Sequence, residues 1–242
     1  MQRLFRNVFV KGRRSGIPPG RVARETTRAF KAFVERSEFP CLGAKAAHMH
    51  ARLQCLCAGD IAGAADDWRI AGRLQAFAAE RDDDSLFVSV AVFFPRSASL
   101  TEAAFEAALW QRLSAIHAID RISHGWDARV SDDPSSARFS MSIGGRAFYV
   151  VGLHPGASRP ARRFRCPAMV FNLHSQFERL REDGRFEKLR QAINERDIAL
   201  AGSPNPMLAV HGRGPEARQY SGRQVDPGWV CPFHAKPREV HP

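Results

Sequence analysis

Hydrophobic positions along this chain recur at two spacings: steps of three and four that predict helices, and steps of two or unbroken runs that predict strands. From Gly20 to Phe39, Val22, Phe30, Phe33 and Val34 share one helical face after a Pro-Pro-Gly stop, so the segment reads as an amphipathic lead-in helix. Pro40-Cys41-Leu42-Gly43 breaks that pattern, and Leu53, Cys55 and Cys57 then alternate with period two, predicting a first strand over 51–57. Asp60 to Arg81 is Ala-rich, with Ile61, Trp68, Leu74 and Phe77 as its apolar positions, and reads as a helix with Asp60 placed to cap it. Leu86 to Phe94 is a near-continuous apolar run stopped by Pro95, the pattern of a strand at the centre of a sheet or covered on both faces. Ser99 or Thr101 caps the next helix, which runs to about Ala118 on a face of Phe105, Leu109, Trp110, Leu113 and Ile116.

Arg138–Ile143 and Arg146–Leu153 read as two strands joined through Gly144-Gly145, a two-residue turn suited to a tight hairpin and hence to antiparallel pairing. A further strand over 167–173 precedes a long helix from Ser175 to about Ala201, with Gly184 as its point of division. The fold class expected is α+β: a mainly antiparallel sheet, possibly mixed because strands and helices alternate, covered by helices. A basic arm over 1–19 is expected to precede one domain over 20–242, since no repeat or linker-like shift in composition divides the rest.

Composition narrows the function classes. The chain has 242 residues, 44% hydrophobic and 25% charged, with no apolar run long enough to span a membrane, and the basic arm lacks the continuous apolar core of an export signal. A cytoplasmic location without membrane attachment is expected. Five cysteines, Cys41, Cys55, Cys57, Cys166 and Cys231, make an odd set and are expected to be thiols. The net charge of +11 would suit nucleic acid, but the arginines are spread along the chain and no binding motif accompanies them, so a solvated basic surface is the preferred reading.

Candidate chemistry concentrates in Phe148–Phe177, FYVVGLHPGASRPARRFRCPAMVFNLHSQF. Two β-prone runs, 148–151 and 168–171, each lead to a histidine, His154 and His174. Between them Arg159, Arg162, Arg163 and Arg165 occupy a turn-rich linker, where guanidinium groups can hold carboxylate or phosphate. Cys231-Pro-Phe-His234 resembles half of a zinc site, without a second pair at structural-zinc spacing.

An ordered set of motifs gives this stretch a wider frame: Phe39-Pro40-Cys41, Phe94-Pro95-Arg96, Gly152-Leu153-His154-Pro155 with Ser158-Arg159, Phe171-Asn172-Leu173-His174 with Gln176-Phe177-Glu178, Gly202-Ser203-Pro204-Asn205-Pro206-Met207-Leu208, and His211-Gly212 leading to Arg218-Gln219-Tyr220-Ser221-Gly222. Over about Phe39 to Phe233 the chain resembles the YqcI/YcgG family. Characterised members of that family are haem-dependent N-hydroxylases of guanidino groups, acting on arginine or on a cyclic guanidine in guanitoxin biosynthesis.

The resemblance implies haem b, a small guanidine substrate, dioxygen or peroxide, and, because no flavin or dinucleotide motif is present, a separate reductase as electron donor. The expected axial ligand is His154, with His174, Cys41, Cys231 and His211 as alternatives. Arg159, Arg162 and Arg163 are expected near the propionates, and Arg218 or Arg223 near a substrate carboxylate. Glu178 and Glu216 are expected to grip the guanidinium cation, with Tyr220 and Trp229 as flat partners. The competing readings are a non-catalytic haem- or anion-binding protein and a basic nucleic-acid binder.

Overall fold

Five strands form one sheet in the order β1-β2-β5-β4-β3, namely β1 (Leu53–Cys57), β2 (Ser89–Phe93), β3 (Met141–Ile143), β4 (Arg146–Leu153) and β5 (Ala168–Leu173). The computed structural model describes residues 20–207 and 214–237. The expected basic arm over 1–19 and His211 lie outside the described residues. β1 and β2 pair in parallel and every other neighbour is antiparallel, so the sheet is mixed within an α+β fold.

The central strands β2 and β5 are buried on both faces, while every residue of the edge strand β1 is only partly buried. In β2, Val90 and Val92 enter one apolar cluster while Ala91 and Phe93 enter the other, the period-two alternation of a pleated strand. The larger cluster lies under α3 (Asp67–Ala79) and α4 (Glu102–Asp120), whose Ile70, Leu74, Phe77, Phe105, Leu109 and Leu113 meet Phe148, Val150, Met169 and Phe171. The smaller lies under α1 (Arg21–Glu35), where Phe30, Phe33 and Val34 pack on Phe93, Phe164 and Val170. The parallel step from β1 to β2 is carried by α3, as a parallel pair requires a crossover.

Local chemistry explains most boundaries. The Thr101 hydroxyl accepts from Ala104 N–H at 3.2 Å and starts α4. Gly144 and Gly145 both adopt positive φ in the β3–β4 hairpin. Gly184 (φ 65°) separates α5 (Ser175–Glu182) from α6 (Phe186–Ala201).

Two expectations are corrected. The helix predicted from Asp60 starts at Asp67, because the Asp60 carboxylate accepts from Ala62 N–H in a local turn and does not cap a helix. The break read at 40–43 is the start of a short helix, α2 (Leu42–Met49), capped by the Cys41 sulfur, which accepts from Ala44 N–H at 3.4 Å. A 3₁₀ turn (Pro160–Arg162) and α7 (Ala217–Tyr220) complete the described elements. Among the described residues no helix is long and apolar enough to cross a membrane.

Candidate functional site

β3 covers only the first part of β4, pairing with Arg146, Ala147 and Phe148. Beyond that point side chains take over the ladder's work, and the site is assembled there. The Phe148 carbonyl accepts from Tyr220 Oη at 3.1 Å and lies 3.3 Å from Ser140 Oγ, one of three acceptors within reach of that hydroxyl, while Tyr220 Oη itself accepts from Met141 N–H at 3.2 Å. The Gly152 carbonyl accepts from Arg162 Nη1 at 3.1 Å. The same guanidinium reaches the carbonyls of Tyr220 at 3.1 Å and Gln219 at 2.9 Å, so the turn after β4 and the carboxy-terminal segment are tied to one cation. A Cβ at Gly222 would stand 2.4 Å from Arg162 Cδ, so only glycine admits that close approach.

Cys41, Tyr149, Arg162 and Glu216 gather around this edge. Burial pushes the Cys41 thiol and the Tyr149 phenol up and the Arg162 guanidinium down, each from its ordinary value. All four are nonetheless only partly buried by accessible surface. Tyr149 Oη donates to Gln219 Oε1 at 3.0 Å, and its ring lies edge-on to Tyr220 and Phe177. α6 adds half-buried Leu189 and Ile193 on the side that carries Arg196 and Asp197, which bond to the Phe39 carbonyl and to Arg159, and no side chain of α6 is fully buried.

Glu216 is the most perturbed carboxyl here. Burial raises it, opposed by Arg181 and by the Ser140 hydroxyl and assisted by Glu178, and it titrates at about 7. Ser140 Oγ lies 3.5 Å from Glu216 Oε2 and 3.1 Å from His174 Nδ1, and His174 Nε2 lies 3.0 Å from Glu178 Oε1. Glu178 is also bonded to Arg181 at 2.6 Å. Ser140 is fully buried, whereas Glu178 is exposed at the rim of a cavity of about 420 Å³ lined by Asp127, Arg129, His174, Ser175, Glu178 and Arg179.

The two histidines do not converge. β4 and β5 run antiparallel with Leu153 opposite Ala168 and Phe148 opposite Leu173, which puts His154 and His174 at opposite ends of the pair. The seven residue steps from Ala147, beside His174, to His154, just past the end of β4, correspond to about 24 Å at the usual rise. His154 is 1% exposed, its ring stacked on Phe105 with centroids 4.3 Å apart. Its Nδ1 is buried without a hydrogen-bond partner, and burial lowers its pKa.

The arginine turn is likewise built into the fold. Arg159 is paired with Asp197 and bonded to the carbonyls of Ser203 and Pro204, and Arg163 holds the carbonyls of Ala157 and Ser158. Arg159 and that loop border a second cavity of about 340 Å³. Arg218 is bonded to the carbonyls of Val225, Asp226 and Pro227, and Arg223 to Glu106. Tyr220 and Trp229 pack against Trp110 as part of the aromatic core. Cys231 is 6% exposed in the larger cluster, where burial pushes its thiol up to about 12. Among the described residues no group of three or more His, Cys, Asp or Glu side chains is placed to hold a bare metal ion.

Haem iron asks less of the protein, one axial donor facing open space. Both ring nitrogens of His174 have partners within hydrogen-bond reach, and His154 has packed atoms against its ring. Cys41 offers a sulfur that accepts the Ala44 N–H at the start of α2, while burial favours its protonated thiol, whose proton a bound metal would have to displace. Ser140 carries no signal of its own in the sequence, being one serine at the start of a short strand.

Comparison with known proteins gives one match. The profile of the YqcI/YcgG family matches residues 30–234. No curated protein and no solved structure matches the chain.

Proposed function

The chain belongs to the YqcI/YcgG family, and on that premise we propose that it is a haem-dependent enzyme that hydroxylates a nitrogen of a small guanidino compound such as arginine or a cyclic guanidine. The observation that carries this reading is the cluster at the edge of β4 left uncovered by β3, where the Cys41 thiol and a Glu216 carboxyl titrating at about 7 both act electrostatically on Tyr149.

Cys41 would hold the iron. Haem bound there would supply the activation of dioxygen, with electrons from a separate reductase, or of peroxide, and the transfer of one oxygen atom. The chain's own part is to bind and orient. Glu216 receives the guanidinium through charge-assisted hydrogen bonds, which favour its carboxylate form. Tyr149 and Phe177 offer flat walls on which a planar guanidinium can stack. Arg162, fixed by three carbonyls, ties the end of β4 to the segment that carries Gln219 and Tyr220. Glu178, already engaged by His174 and Arg181, acts on the cation only through the local field.

The test is to express the protein with a haem supply and record its absorption spectrum, then incubate it with guanidines, reductant and dioxygen, or with peroxide, and search by mass spectrometry for a gain of one oxygen. A stoichiometric Soret band that Cys41→Ala shifts or abolishes, with an oxidised guanidine formed only by haem-loaded protein, is the expected result. Failure to take up haem overturns the reading. Bound haem without any oxidised guanidine would make the protein a haem carrier or sensor.

A further inference from the structure

We propose that Glu216, Ser140, His174 and Glu178 form a proton relay that carries the proton shed by a guanidinium nitrogen at Glu216 to the cavity lined by His174 and Glu178. The inference deepens the proposed function and rests on it for the identity of the substrate. Its geometry stands independently.

The four groups form a line of hydrogen-bond contacts: Glu216 Oε2 to Ser140 Oγ at 3.5 Å, Ser140 Oγ to His174 Nδ1 at 3.1 Å, and His174 Nε2 to Glu178 Oε1 at 3.0 Å. They come from separate elements, namely the segments before β3 and α7, the β5–α5 junction and α5 itself, so the line is a product of tertiary packing. It runs from a buried carboxyl through a fully buried hydroxyl to an exposed carboxylate at a cavity of about 420 Å³. Among the described residues, the charged and titratable groups that act on the inner end include Arg181 and Glu178 on α5, Tyr149 on β4 and Tyr220 on α7. Glu216 titrates near neutrality, as a general base for this task should.

A guanidinium is a poor nucleophile because its nitrogen lone pairs are delocalised over a cation, so one N–H must be given up as the N–O bond forms. In the relay that N–H bond breaks and the proton binds Glu216 Oε2. The carboxyl passes it to Ser140 Oγ as the original hydroxyl proton moves to His174 Nδ1. The imidazolium then releases its Nε2 proton to Glu178, which gives it to water in the cavity. One proton leaves the substrate and one reaches solvent; His174 is left protonated at Nδ1, and the relay resets when the imidazole exchanges tautomers with water and the Ser140 hydroxyl turns back.

The test has two parts. In the haem-free protein, the Glu216 carboxyl is titrated by carbon-13 NMR. Ser140→Ala is expected to raise its midpoint, by removing a hydrogen bond to the carboxylate, and Glu178→Gln to lower it, by removing a nearby negative charge. Glu178 is exposed, so that variant keeps the argument testable if Ser140→Ala does not fold. In haem-loaded protein with L-arginine as probe, Ser140→Ala and Glu178→Gln are expected to lower kcat about tenfold or more with KM held, and Glu216→Gln about a hundredfold with loss of the basic limb of the pH profile. A Glu216 midpoint indifferent to both Ser140 and Glu178 overturns the relay, whatever the enzyme does. Coupled titration in a protein that oxidises no guanidine supports the relay and removes the substrate reading alone. Unchanged kcat in Ser140→Ala and Glu178→Gln of an active enzyme overturns the relay and leaves the oxygenase reading in place.

Discussion

Glu106 and Arg223, 117 positions apart, form an ion pair inside the molecule: the α4 carboxylate accepts from Arg223 Nε and Nη2 and also from Trp229 Nε1 at 2.6 Å and Ser221 Oγ at 3.3 Å. One buried carboxylate thereby pins the segment that carries Glu216, Gln219 and Tyr220. Glu106→Gln removes the charge behind these bonds and is expected to cost about 2–3 kcal/mol in urea unfolding, with a change in Trp229 fluorescence. An unchanged midpoint would show that the aromatic contacts alone hold the segment.

Glu216 makes stability depend on pH in a definite direction. Its folded value of about 7 lies above the ordinary 4.5, so the folded state binds the extra proton between the two. Its contribution is therefore fully present below pH 4.5 and is lost as pH rises through 7, a change of about 3 kcal/mol. Glu216→Gln should flatten that decline, gaining over the native protein at pH 8 but not at pH 4. Thermal melts across this range decide the matter.

His154 acts in the opposite sense. Burial keeps its folded pKa below the ordinary 6.5, so its contribution is present above that pH and is lost as acid protonates the unfolded chain first. His154→Leu removes a buried nitrogen with no partner, and should match or exceed the native melting temperature at pH 5 while keeping any Soret band. Loss of the band in this variant, with Cys41→Ala unaffected, would return the iron to the end of β4.

Gly222 adopts φ 83° against the Arg162 side chain. Gly222→Ala combines an unfavourable backbone with a contact of 2.4 Å to a side chain that three carbonyls hold in place, and about 1–3 kcal/mol of destabilisation is expected. A variant as stable as the native protein would mean that Arg162 yields easily.

The elements were legible where the signal is local. The β2 run, the Thr101 cap and the paired glycines at 144–145 each fix a short stretch of backbone by composition alone, and each is found. α2 escaped notice because LGAKAAHM has no apolar stripe, its helix being set by the Cys41 cap and by packing. The candidate site was legible as a list of residue types but not as a place. A strand carries no mark of its direction, so the antiparallel pairing of β4 with β5, which parts His154 from His174, could not be read from either strand. Nor does an arginine announce its partner: Arg159, Arg162 and Arg163 look alike in sequence, and backbone carbonyls engage all three.

Tyr220 and Phe233 pack on Trp110 in the middle of the larger apolar cluster, and both come after every strand of the sheet. A chain emerging from the ribosome would therefore hold all five strands before it holds the aromatic residues that close its core. Until that later segment has emerged, Trp110 lacks its ring partners Tyr220, Trp229 and Phe233 and the edge of β4 lacks the Tyr220 hydroxyl. The edge of β4 is thus completed by residues made after the whole sheet, so haem or any other ligand that binds there meets a chain whose five strands have already been synthesised.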